Sequence, residues 1–167
     1  MRDHGATVTH LTPAMDQILV GGASAEFPKL HHAFFVGGIF IKRDCKSLQR
    51  LASNVFIVNM YGTTETQRAV SYYEIPSKSQ DPKYLEKMGN VIPAGKGMKD
   101  VQLIIIDREN RNRVCDVSEI GEIYVHAAGL AEGYLGSDDL TKTKFVESWF
   151  VDNAKWVEED KNGKATC

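Results

Sequence analysis

The chain has 167 residues, of which 43% are apolar and 25% charged, and its formal net charge is −2. That is enough for one ordinary domain with a buried core, and no apolar run approaches the length of a membrane span. Basic residues are scattered, so the chain carries no electrostatic footprint for DNA or RNA, and the small group Arg108, Arg111 and Arg113 reads as a solvated hairpin turn. Cys45, Cys115 and Cys167 fit neither a disulfide framework nor a zinc knuckle, and reduced thiols in the cytoplasm are expected. The stretch Met1 to Gly5 lacks the apolar core of a signal peptide. Near the other end, Lys161-Asn162-Gly163-Lys164 reads as a β-turn without a completed strand after it, so a fragment is expected.

In chain order, Thr7 to Thr12 is extended, and Thr12-Pro13 reads as an N-cap followed by a first-turn proline. A short helix through Met15, Ile18 and Leu19 follows and is broken at Gly21-Gly22. The small residues there lack the lysine of a phosphate-binding loop, which favours a plain loop. His31 to Val36 reads as a buried strand ending at Gly37-Gly38, Lys42 to Ala52 as an amphipathic helix, and Val55 to Val58 as a strand. This succession predicts a right-handed parallel crossover. The histidines His31 and His32 point to opposite faces of a strand and do not suit one shared ion.

Asn59-Met60-Tyr61-Gly62-Thr63-Thr64-Glu65 comes next, at the end of that strand, where open α/β sheets place their ligand crevice. An aromatic face for a base, a glycine for close approach, hydroxyls for phosphate oxygens and a carboxylate for magnesium suit a nucleotide with a metal. The same residues also suit a plain polar turn. Val70 to Ile75 is then extended, and Ser77 to Lys83 is a surface loop and candidate boundary. Val101 to Ile106, a polar turn from Asp107 to Arg113, and Glu122 to Val125 read as a hairpin or meander. A last helix is expected near Asp138 to Phe145, with Ser137 as cap and Leu140 and Phe145 as apolar contacts.

Three motifs in order carry a resemblance. Asn59 with Tyr61-Gly62-Thr63-Thr64-Glu65 resembles the N-x-Y-G-x-T-E motif of the adenylate-forming enzymes, which include acyl-CoA synthetases, peptide-synthetase adenylation domains and luciferases. Ile92 to Met98 is similar to the family's glycine-rich turn before a strand. Gly121 to Val125 with Gly129 to Leu135 resembles its G-E-[IL]…G-x-A-x-G-Y stretch, with Glu132 where most relatives carry arginine or lysine. Thr9 to Met15, His31 to Gly37 and Asn59 to Tyr72 narrow the likeness to a fungal branch of lysine biosynthesis that reduces L-2-aminoadipate.

The resemblance implies an α/β fold, a partial adenylate-forming core within one incomplete AMP-binding domain. Residues 1–72 would close an α/β subdomain with a mostly parallel sheet, and 73–167 would form part of a distorted antiparallel β-barrel. It implies ATP and Mg2+ as cofactors, with Tyr61 on the adenine, Asn59 at its polar edge and Gly62 and Thr63 beside the nucleotide. Thr64 would meet the α-phosphate and Glu65 the metal, these two acting in catalysis. Phe34, Val36, Met60, Arg68 and Ala69 would line the acid pocket, with Arg68 either holding the α-carboxylate of aminoadipate or standing as a surface arginine just past the site.

The acid would be activated as an acyl-adenylate, passed to a thioester and reduced, with a carrier domain in cis bearing phosphopantetheine and with NADPH, both sites outside this chain. The lysine-ending phosphate loop, the Y-[RK]-T-G-D ribose motif and the mobile domain with its catalytic lysine are absent, so these residues alone are expected to be inactive. Neither nucleic acid nor membrane is an expected partner. The motifs are shared with other peptide synthetases and acyl-CoA synthetases, and without the resemblance a non-catalytic interaction module stays open.

Overall fold

The computed structural model describes residues 1, 3–66 and 69–147. Strand β1 (Val8–Leu11) runs into helix α1 (Pro13–Gly21). Thr12 is extended, with φ −88° and ψ 159°, and its Oγ1 accepts the Met15 amide at 3.2 Å, so one of the unpaired first-turn donors is satisfied. Pro13 contributes no such donor. The buried members of this helix are Pro13 and Asp16, and Leu19 and Val20 pack half-buried against the core, whereas Met15 and Ile18 face solvent.

The expected crossover is present as a parallel pair. Strand β2 (His32–Phe35), helix α2 (Lys42–Leu51) and strand β3 (Phe56–Tyr61) follow one another, and β2 pairs with β3 in the register Ala33 to Ile57 and Phe35 to Asn59. Strand β1 lies parallel on the other side of β2, and β4 (Ser71–Ile75) runs antiparallel to β3. A two-residue strand, β5 (Lys96–Gly97), completes the order β1-β2-β3-β4-β5.

Helix α2 is amphipathic as its spacing predicts, and its Cys45 and Leu48 join Ala33, Phe35, Ile57 and Ile75 in one core. Within that core Phe35 stacks on Phe40, with ring centres 4.1 Å apart. The buried carboxamide of Gln49 donates to the Pro76 carbonyl at 2.8 Å, which ties the helix to the end of β4. Burial in β2 alternates, a correction to its reading as a wholly buried strand: Ala33 and Phe35 are inside, while His32 is exposed and stacks between Phe34 and Phe56. Successive side chains of a strand point to opposite faces, so Ala33 and Phe35 enter the core shared with α2 while His32 and Phe34 point the other way. Among the described residues no three histidines, cysteines or carboxylates cluster as metal ligands.

Contacts divide the chain into two compact units, one of residues 1–63 with 68–96 and the other of 64–67 with 97–167. In the second, β6 (Val101–Ile106) and β7 (Glu122–Ala127) form a two-stranded antiparallel sheet, in which Ile106 is fully buried. The polar turn after β6 is built on Asp107, which accepts the amides of Glu109 and Asn110 at 2.8 and 2.9 Å and pairs with Arg113. Those backbone amides, with Arg113, pull the Asp107 carboxyl down to about 2. Arg113 also reaches Glu119 at 2.7 Å, so this arginine clasps a turn.

Helix α3 (Asp138–Lys144) closes the described chain. Ser137 stands at its cap position without a side-chain capping bond, and Leu140 is exposed, so neither residue does what the sequence suggests. Phe145 does make an apolar contact, edge-on to Tyr134 at 5.8 Å. The turn expected at Lys161 to Lys164 and Cys167 lie outside the described residues.

Candidate functional site

Sequence reading ends the central strand at Val58, but β3 continues through Tyr61 because β4 pairs with it to that point. Asn59 faces Tyr73, Met60 faces Tyr72 and Tyr61 faces Ser71. Three motif residues therefore stand on the strand itself, and strand alternation sends their side chains to opposite sides. Asn59 and Tyr61 share the side of Ile57 and Phe35 that α2 covers. Met60 shares the other side with Val58 and Phe34, which are in register. Phe34, Met60 and Tyr61 are all half-buried, as expected of side chains at the margin of a core. Val36, also half-buried, lies just past β2, where its amide donates to the Leu11 carbonyl at 3.2 Å.

The side of the sheet bearing Asn59 and Ser71 holds a second motif by its backbone. Asn59 Nδ2 donates to the Pro93 carbonyl at 2.8 Å and lies 3.4 Å from that of Ile92. Ser71, fully buried, donates to the Ala94 carbonyl at 3.0 Å. Charge-neutral donors thus satisfy three successive carbonyls of a turn that has no ladder of its own. Gly95 follows with φ +84°, and a Cβ there would sit 1.8 Å from the Tyr72 carbonyl oxygen. Only glycine fits that approach. Lys96 then places its ammonium 5.4 Å from the centre of the Tyr72 ring, within cation–π range.

Beyond Tyr61 the chain leaves the sheet. Gly62 is half-buried, Thr63 and Thr64 are exposed, and Ala69 is half-buried just before Val70, whose amide returns to the Tyr61 carbonyl at 2.7 Å. Arg68 lies outside the described residues.

Thr64 and Glu65 belong to the second unit, where Glu65 meets the third motif. The Ala131 amide donates to the Glu65 carbonyl at 2.8 Å, and the Tyr134 hydroxyl donates to Glu65 Oε1 at 2.5 Å. A hydrogen bond this short is typical of a hydroxyl on an ionised carboxylate. The bond to Glu65, with burial and the carboxylate charge, raises the Tyr134 phenol above its ordinary value, so it stays a donor.

Tyr134 was not singled out by sequence reasoning, which saw it only as the end of a motif. Nothing local separates a tyrosine that packs from one that donates to a carboxylate 69 positions away. Glu65 fits a divalent cation in a specific sense. Magnesium bound with nucleotide takes one or two protein carboxylates and fills its remaining positions with phosphate oxygens and water, so it needs no wider cluster of protein ligands.

The profile of the AMP-binding enzyme family matches residues 1–135, and the chain belongs to that family. The chain is 66% identical, over 94% of its length, to the L-2-aminoadipate reductase large subunit of Penicillium chrysogenum. Against L-2-aminoadipate reductase of Saccharomyces cerevisiae it is 60% identical over 97% of its length. It spans only 11% and 12% of those two proteins. The fold matches that of PA1221, described as a peptide-synthetase protein containing adenylation and PCP domains, with a TM-score of 0.73 over 87% of this chain and 28% of that one, at 24% identity.

Proposed function

We propose that this chain supplies part of the ATP and acid sites of an adenylation domain, and that the acid is L-2-aminoadipate, activated at its δ-carboxylate. The observation that carries this reading is the alternation along β3, with Asn59 and Tyr61 on one side and Met60, in line with Phe34, on the other. A nucleotide and an acid approaching from opposite sides of one strand would meet at its end, where Gly62 to Glu65 begin.

Tyr61 would offer its ring to the base. Asn59 would shape the base side by fixing the carbonyls of Ile92 and Pro93. Gly62 and Thr63 would border the phosphates, and Thr64 would donate to the α-phosphate. Phe34, Val36, Met60 and Ala69 would line the acid pocket, and Arg68 would pair with the α-carboxylate in a bidentate manner.

In this reaction the carboxylate oxygen bonds to the α-phosphorus, the bond to pyrophosphate breaks, and an acyl-adenylate is left. Two anions must approach each other, so charge neutralisation is the main physical demand. Magnesium, when bound with ATP, neutralises phosphate charge, and Glu65 is the residue that would hold it. In the complete gene product a phosphopantetheine thiol of a carrier domain would displace AMP, and hydride from NADPH would reduce the thioester to the semialdehyde. The free thiols Cys45 and Cys115 suit a reducing, cytoplasmic setting, and no helix among the described residues is long and apolar enough to cross a membrane.

The test is substrate-dependent ATP–pyrophosphate exchange by the complete gene product, run with L-2-aminoadipate against other amino acids and fatty acids. Exchange selective for aminoadipate is the expected result, and Arg68→Ala should raise its KM about tenfold, the size of one lost charged contact. Exchange with another acid in preference would overturn the substrate, and no ATP-dependent exchange with any acid would overturn the reading.

A further inference from the structure

We propose that Tyr134 is a positioning residue for Glu65, holding that carboxylate in the orientation in which it meets a divalent cation carried by the nucleotide; this rests on the reading of Glu65 above. The hydroxyl is aimed by contacts that leave the ring little freedom. The Tyr134 amide donates to Thr141 Oγ1 at 2.9 Å, and that hydroxyl donates to the Ser137 carbonyl at 2.9 Å. The ring stands edge-on to Phe145. Gly133 allows the fit, since its φ is +150° and a Cβ would lie 2.5 Å from Thr141 Cγ2. From this base the phenol reaches Glu65 Oε1, while the Ala131 amide holds the Glu65 carbonyl. One short segment therefore restrains Glu65 at both its backbone and its side chain.

The type of donor matters as much as its position. A lysine or arginine here would orient the carboxylate but also neutralise it, and its charge would oppose a cation. A phenol orients without adding charge and leaves the carboxylate anionic. A tyrosine present only for packing needs no partner for its hydroxyl, and phenylalanine would serve. Partners of this kind fix ligand geometry, and their loss commonly weakens metal affinity by about ten- to a hundredfold.

The test uses the complete gene product with Mn2+ as the cation and a non-hydrolysable ATP analogue, the free ion being followed by electron paramagnetic resonance. Tyr134→Phe should weaken Mn2+ binding in the presence of the nucleotide about tenfold. Nucleotide binding in EDTA should stay unchanged, which a general disruption of the fold would not allow. In a Glu65→Gln background the same change should have no further effect. A wild-type Mn2+ affinity in Tyr134→Phe beside a weakened Glu65→Gln would overturn the positioning role alone. Equal losses from Tyr134→Phe in both backgrounds would do the same. An unchanged Glu65→Gln would overturn the metal reading and this inference with it. Should Tyr134→Phe fail to fold, Thr141→Val, which removes the acceptor of the Tyr134 amide, is read in the same way. It should weaken Mn2+ binding where Thr141→Ser does not, and parity of the two would contradict the role.

Discussion

The two units hold their motif residues by different physical means. In the first, Asn59 and Ser71 stand on strands backed by a continuous core of Ala33, Phe35, Leu48, Ile57 and Ile75, all essentially without solvent contact. In the second, the sheet has two strands whose residues are mostly half-exposed, and Glu65 is held by discrete polar bonds from Ala131 and Tyr134. Apolar burial is non-directional and large in sum, so it fixes a strand firmly without aiming any one group. A short charge-assisted bond contributes less but sets a direction. The base and acid contacts proposed for β3 need a rigid platform, and the proposed metal carboxylate needs an angle.

This contrast can be broken most severely at Gly95. Placing alanine there drives a Cβ into the Tyr72 carbonyl at a positive φ, and a loss of about 4 kcal/mol is expected from overpacking together with backbone strain. Urea unfolding of the first unit would measure it, and a loss below 1 kcal/mol would mean that the turn relaxes away from the sheet. Leu48→Ala should follow, at about 3 kcal/mol, as a cavity in a closed core. Hydrogen exchange should register that loss in β2 and β3 and leave β6 and β7 unchanged if the units are energetically separate.

A smaller effect sharpens the comparison through pH. Asp16 is buried with Oδ1 lacking a hydrogen-bond partner, and burial, followed by the charge of Asp44, raises its carboxyl to about 7. Gln17 and Arg43 reach Asp44 rather than Asp16. An aspartate in an unfolded chain titrates near about 4, so the folded state holds the extra proton between those values. The stability associated with that proton is complete below about pH 4 and is lost as pH rises through about 7. Asp16→Asn should flatten this fall and stabilise the chain at pH 8 by about 1–3 kcal/mol, read from thermal unfolding at several pH values. A profile identical to wild type would show that Asp16 is not the titrating group.

The smallest change is expected at Arg113, whose pairs with Asp107 and Glu119 are exposed to solvent and salt. Arg113→Ala should speed amide exchange at Glu109 and Asn110, whose amides bond to Asp107, and leave global unfolding unmoved. The low Asp107 carboxyl contributes stability above the unfolded aspartate value, and this is lost as pH falls towards 2.

Local pattern was enough for much of this fold. Thr12-Pro13 announced α1 because capping is chemistry between near neighbours, and apolar runs announced β2, β3, β6 and β7 because β-branched and aromatic residues suit a pleated, half-buried surface. The motif at Asn59 to Glu65 was visible as a cluster of residue types. Its extent on β3 was not, because pairing with β4 decides where the strand ends. Pairings across long stretches of sequence were equally hidden. Asn59 with Pro93, Ser71 with Ala94 and Tyr134 with Glu65 depend on where the chain returns in space, which no local period encodes. The burial of Asp16 was hidden for a related reason: tertiary packing, not residue type, places this carboxyl inside.

The division of labour along β3 is tested most directly by the two Michaelis constants of aminoadipate-dependent pyrophosphate exchange, measured with Tyr61→Ala and Met60→Ala in the complete gene product. Loss of base stacking, worth about 1–3 kcal/mol, should raise the KM for ATP about tenfold or more in Tyr61→Ala and leave that for aminoadipate in place. Met60→Ala should do the reverse. If both constants move together in each variant, or if Tyr61→Ala leaves the KM for ATP unchanged, the two sides of the strand do not serve the two substrates as proposed.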